Sequence, residues 1–104
     1  MTKIEFKELL ETTGIRVYEK YAPVGTKVPF IVYSWDYANF AADNTAYQRI
    51  AVATVTHYHN DYSDGEELKT AFDENDLFWN CDSDYDPTER LYIDIYTMEV
   101  IDNG

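Results

Sequence analysis

Apolar residues recur at helical spacing at the start of the chain. Phe6, Leu9, Leu10 and Thr13 fall at i, i+3, i+4 and i+7, one buried stripe of a helix over about residues 3–13. Thr2, with Glu5 three residues on, has the spacing of a capping box, and Gly14 supplies a left-handed stop. Ile15 to Tyr21 is β-branched and aromatic and predicts a short strand, followed by a loop bracketed by Pro23, Gly25 and Pro29. Phe30 to Tyr37 predicts a strong strand. Asn39 to Asn44 is rich in turn-forming residues, and Ala46 to Tyr58 predicts a long strand pairing antiparallel with the one before. A second helix is expected over 65–75. Asp64 is its expected cap, Glu67 stands at the capping-box position, and Leu68, Ala71 and Phe72 form its buried face. Phe78 to Asp84 predicts a strand and Asp86-Pro87-Thr88 a turn. Arg90 to Ile101 then alternates, with Leu91, Ile93 and Ile95 on one face and Tyr92, Asp94, Tyr96 and Met98 on the other.

The order α-β-β-β-α-β-β predicts an α+β domain spanning residues 1–104: an antiparallel sheet of four to five strands with two helices packed on one face. Phe6, Leu9, Leu10, Leu68 and Phe72 are expected to bury against Ile93 and Ile95. No repeat or Pro/Gly/Ser-rich linker divides the chain, and 104 residues suffice for one core.

Charge changes this picture. Residues 1–60 hold six acids and six basic residues, whereas residues 61–104 hold fourteen acids with only Lys69 and Arg90, so the net charge of −12 sits in the second part. Such a balance argues against nucleic-acid phosphates or anionic lipid as the main ligand. Ten Tyr are many for this length, and tyrosine suits a surface that meets a partner. The single Cys81 excludes an internal disulfide framework and a Cys-based zinc cage. The first residues lack the apolar core of a signal peptide. Apolar runs such as Val28 to Tyr33 fall far short of the roughly 20 residues of a membrane helix, so a soluble protein made in a cytoplasm is expected.

Candidate chemistry is sparse. His57 and His59, two apart on a strand, point to one face, a usable metal-ligand geometry with Asp61 as a third oxygen. The plainer reading is two surface imidazoles near a strand end. Asp82, Asp84 and Asp86 resemble the start of a calcium loop, yet the sixth and twelfth places hold Pro87 and Ile93 instead of Gly and Glu. An acidic sheet edge that discourages stray pairing accounts for them better. Cys81 lacks an orienting partner, no serine stands in a Gly-x-Ser-x-Gly elbow, and four glycines cannot build a phosphate loop. No catalytic residue, stoichiometric metal or cofactor is expected.

Four segments carry a resemblance. Thr13-Gly14-Ile15-Arg16-Val17, Pro29-Phe30-Ile31-Val32-Tyr33, Asn39 to Tyr47 and the Leu91-Tyr92, Tyr96, Val100 pattern are similar to motifs of the tail-terminator (tail-completion) proteins of long-tailed phages and prophages of Gram-positive bacteria. The likeness runs nearly end to end. It departs at Arg16, where relatives carry Pro, and at Thr56-His57-Tyr58-His59, where they usually carry Leu-Tyr-Thr. The resemblance implies a structural virion protein without catalytic residues, a ring that caps the tail tube and joins tail to head. The implied partners are further copies in a homohexamer, the tail tube protein and the head–tail connector or neck proteins, with DNA passing through without specific binding and no membrane. The implied location is the virion, after assembly in the host cytoplasm. Tyr37, Asn39, Phe40, Asp43, Asn44 and Tyr47 are the candidate subunit or tail-tube contacts, and Asp82, Asp84, Asp86 and Glu89 a candidate acidic channel or docking surface. Alternatives are another neck or head-completion connector, or an acidic DNA mimic that blocks a DNA-binding protein.

Overall fold

The structure, a computed structural model, describes residues 1–38, 49–61 and 65–102. Helix α1 spans Lys3–Glu11, and both halves of its capping box form: Thr2 Oγ1 accepts from the Glu5 N–H at 3.2 Å and Glu5 Oε1 from the Thr2 N–H at 2.9 Å. Those bonds hold the Glu5 carboxyl below its ordinary pKa, because they favour the charged form. Gly14, at φ +78°, turns the chain into β1 (Arg16–Glu19). Strands β2 (Phe30–Tyr37) and β3 (Arg49–His59) follow, then α2 (Glu66–Glu74), β4 (Trp79–Asp86) and β5 (Leu91–Asp102). This is the expected α+β order. Residues 46–48, the expected start of the third strand, lie outside the described residues.

The five strands form one sheet in the order β1-β2-β3-β5-β4. It is mixed, not wholly antiparallel: β1 runs parallel to β2, with Arg16 opposite Phe30 and Glu19 opposite Tyr33. The loop through residues 20–29 carries the chain back to the end from which β1 set out, and a return of that kind makes neighbours parallel. The second helix also begins differently. Its N-cap is Gly65, at φ +111° and without a side-chain cap, while Asp64, the expected cap, lies outside the described residues.

Both helices cover one face of the sheet. Phe6, Leu10, Leu68 and Phe72 are fully buried and Leu9 partly so. They do not pack on Ile93 and Ile95. The inward residues of β5 are Tyr96, Met98 and Val100, and Ile95 is 37% exposed on the opposite face. The reason is register. Val100, Met98 and Tyr96 stand opposite Ala51, Ala53 and Val55, small side chains that leave room for the helices, whereas Ile95 stands opposite Thr56. Side chains alternate with period two, so a strand offers one whole set inward or the other. The small residues of β3 decide which. Across the core Phe6 packs against Trp35 (5.4 Å between ring centroids) and Phe72 against Tyr96 (5.4 Å).

Among the described residues no helix lies over the other face of the sheet. That face carries Val32, Val52, Ile93 and Ile101, the last 52% exposed, and a stacked Phe30–Tyr58 pair 4.7 Å apart. No helix among the described residues is long and apolar enough to cross a membrane.

Candidate functional site: a buried histidine pair and two charged sheet edges

The period-two alternation at the end of β3 turns His57 and His59 to the helix-covered face rather than to the surface. They are 0% and 2% exposed, which corrects the expectation of surface imidazoles. The inward set of β3 simply continues through Ala51, Ala53 and Val55 into the two histidines. Their rings stack at 4.4 Å, and Tyr92 stacks on His59 at 5.6 Å. Register places Asp94 directly across from His57. Asp94 Oδ2 lies 2.6 Å from His59 Nε2, and its Oδ1 accepts from Ser83 Oγ at 2.7 Å. His59 Nδ1 meets the Asp61 backbone oxygen at 2.7 Å. Asp61 therefore contributes its carbonyl to the ring, and the carboxylate beside the histidines is that of Asp94. Among the described residues neither nitrogen of His57 has a hydrogen-bond partner, nor does the Tyr96 hydroxyl.

Burial has electrostatic consequences. It pushes the His57 pKa down from 6.5 to about 4, with the neighbouring His59 lowering it further and Asp94 opposing. Burial likewise pushes the Tyr96 phenol up, helped by Cys81 and Asp94. Gly65 sits against this cluster because a Cβ there would come 3.2 Å from the Tyr96 hydroxyl. A neutral His57 links stability to pH. The unfolded chain takes a proton there near pH 6.5 and the folded one only near pH 4, so the contribution of His57 is full above 6.5, falls as acid is added, and is spent below 4. The difference corresponds to about 3 kcal/mol. Urea unfolding in EDTA should show most of that loss between pH 7.5 and 4.5, and His57→Gln should flatten the slope. An unchanged slope in that variant would contradict the burial of a neutral ring.

The sequence-predicted contacts divide. Tyr37, 43% exposed at the end of β2, donates its hydroxyl to Asp102 Oδ2 at 2.7 Å and lies under the Arg49 guanidinium, 4.1 Å from the ring centroid. Asn39, Phe40, Asp43, Asn44 and Tyr47 lie outside the described residues. Asp82, Asp84 and Asp86 all stand on β4, an outer strand of the sheet, with Glu89 exposed in the turn that follows. Asp86 Oδ1 accepts from the Thr88 and Glu89 N–H groups, fixing that turn. The acidic second part of the chain is not all surface: Asp94 and Asp102 point inward, and Asp102 pairs with Arg49 at 3.8 Å. Cys81 is half-buried against the core, 3.8 Å from Ser83 Oγ.

The opposite edge carries the other sign. Arg16 on β1 is exposed and donates to the Lys27 backbone oxygen at 2.5 Å, which draws Lys27 to this edge, and Lys20 follows the strand. Glu19, the acid of β1, is tied to Lys3 of α1. No family model and no curated protein matches this chain. Geometry and the short sequence motifs therefore carry the functional reading.

Sequence reasoning missed Asp94 as the companion of the histidines. The signal was present: an aspartate in mid-strand, in phase with Tyr96 and Met98. It pointed to the site once those residues, not Ile93 and Ile95, faced the helices.

Proposed function

We propose that this chain is a structural subunit of a phage tail-terminator ring, which caps the tail tube and joins the tail to the head. The observation that carries the reading is the opposition of charge across one sheet: Arg16, Lys20 and Lys27 at the β1 edge, Asp82, Asp84, Asp86 and Glu89 at the β4 edge. A patch that meets a different patch on the next copy makes a heterologous contact, and such contacts close into a ring when the rotation divides the circle. Opposite edges of one sheet suit that geometry, because the acidic edge of one copy faces the basic edge of the next. The face away from the helices, where Val32, Val52, Ile93 and Ile101 stand beside Asp82 and Asp84 of β4, then serves contact with the tail tube or the connector above it. The motif likeness over residues 13–17, 29–33, 39–47 and 91–100 supports the same reading, with a hexamer as the expected count.

The DNA-mimic alternative draws on the same acidic strand but leaves the basic β1 edge and the exposed Ile101 without a task. Light scattering on the purified chain, alone and mixed with tail tubes, tests the proposal. A hexamer that loosens in high salt is expected, since exposed charge pairs are screened. A monomer under both conditions would overturn it.

A further inference from the structure

We infer that His57, His59 and Asp94 form a binding site for one divalent transition-metal ion, with zinc as the first expectation. One ligand atom from each of the three residues lies within 4.8 Å of the others. A tetrahedral ion with ligand bonds of about 2.0–2.1 Å holds its ligand atoms about 3.3 Å apart, so small side-chain rotations close the site. Two imidazoles and one carboxylate suit zinc and its first-row neighbours rather than calcium or magnesium, which take oxygen ligands.

Two further features favour an ion. His57 is fully buried with both ring nitrogens unpartnered among the described residues, and a buried polar atom without a partner is costly. Around His59, Asp61 O faces Nδ1 and Asp94 Oδ2 faces Nε2, so both ring nitrogens meet oxygens that only accept when Asp94 is ionised. With Nδ1–H donated to the Asp61 carbonyl, a proton on Nε2 makes the 2.6 Å ion pair with Asp94, and a metal ion takes that proton's place once the two ligand atoms part to about 3.3 Å. The surrounding hydrogen bonds are those of a metal site: the Asp61 carbonyl fixes the tautomer of His59, and Ser83 holds the second oxygen of Asp94. The Asp94 side chain, 14% exposed, leaves the ion a way in. The sequence-based expectation of no metal rested on the lack of a firm third ligand beside His57 and His59. Asp94, across the strand ladder, is that ligand. An ion here ties β3 to β5, with its fourth position left to a water molecule, and it stands independently of the ring.

The test uses the full chain stripped with chelator. His57 and His59 are its two histidines, so their imidazole NMR signals are separable from everything else in the spectrum. Titration with zinc chloride should shift both rings together and saturate at one ion per chain. At a hundredfold excess over Kd, Tm should rise by about 10 °C. Asp94→Asn and His57→Gln should each weaken binding at least tenfold, while Asp82→Asn with Asp84→Asn, on the exposed strand, should leave it unchanged. Magnesium in place of zinc should shift neither ring. The inference is overturned if the wild-type rings do not move with zinc, or if binding survives loss of His57 and Asp94 but fails with the Asp82 and Asp84 pair. Because the wild-type titration needs no variant to fold, an unfolded Asp94→Asn protein does not blunt the result.

Discussion

Phe72→Ala is expected to lower the free energy of unfolding by about 3–5 kcal/mol, the range for truncating a fully buried aromatic ring. Phe72 is the residue through which α2 grips both the sheet and the other helix. Its ring meets Tyr96 edge-on at 5.4 Å and lies parallel to Phe6 at 6.5 Å. Truncation would open a cavity between two helices and the centre of β5, and rigid aromatic neighbours close such a gap poorly. Phe78→Ala is the matched control, since that ring is 90% exposed and its loss should stay within about 0.5 kcal/mol. Urea unfolding of both variants measures the contrast. A loss below about 1 kcal/mol for Phe72→Ala would mean that α2 does not dock on this face.

On the ring proposal, reversing Asp82, Asp84 and Glu89 to Lys should abolish assembly while leaving the monomer folded, because all three are exposed and Asp86, which fixes the turn, is kept. Each edge would then be basic, and like charges facing each other repel at every junction of the ring. Changing Arg16, Lys20 and Lys27 to Glu in the same chain should restore assembly, since the edges regain opposite signs. Light scattering distinguishes the three forms. Assembly that persists after the first set of changes, or that stays lost after the second, would remove the edge-to-edge contact from the account.

How much of this was legible beforehand depended on what each residue reports about its own surroundings. The first helix was readable because its cap, stripe and stop lie within one short segment, and Thr2, Phe6, Leu10 and Gly14 act locally. Strand positions were readable for the same reason, the β2 bounds coinciding with Phe30–Tyr37. The face of β5 was not, because Ile93 and Ile95 are the more apolar set and the choice lies in a distant strand, where Ala51 and Ala53 make room for the helices. The parallel pairing of β1 depended on the path of the loop through residues 20–29, which composition does not report. The histidine site followed from the same misjudged face. With Asp94 placed outward, His57 and His59 lacked a third ligand; with Asp94 inward, strand register delivers it opposite His57.

The ring proposal makes its sharpest demand in the genome that encodes the chain, which the proposal takes to be that of a phage or prophage. Deleting the gene and imaging the lysate by electron microscopy should show full heads beside tails that are unjoined or wrong in length, with joining restored by the wild-type gene supplied in trans. Normal, joined and infectious particles in the deletion lysate would contradict a tail-terminator role.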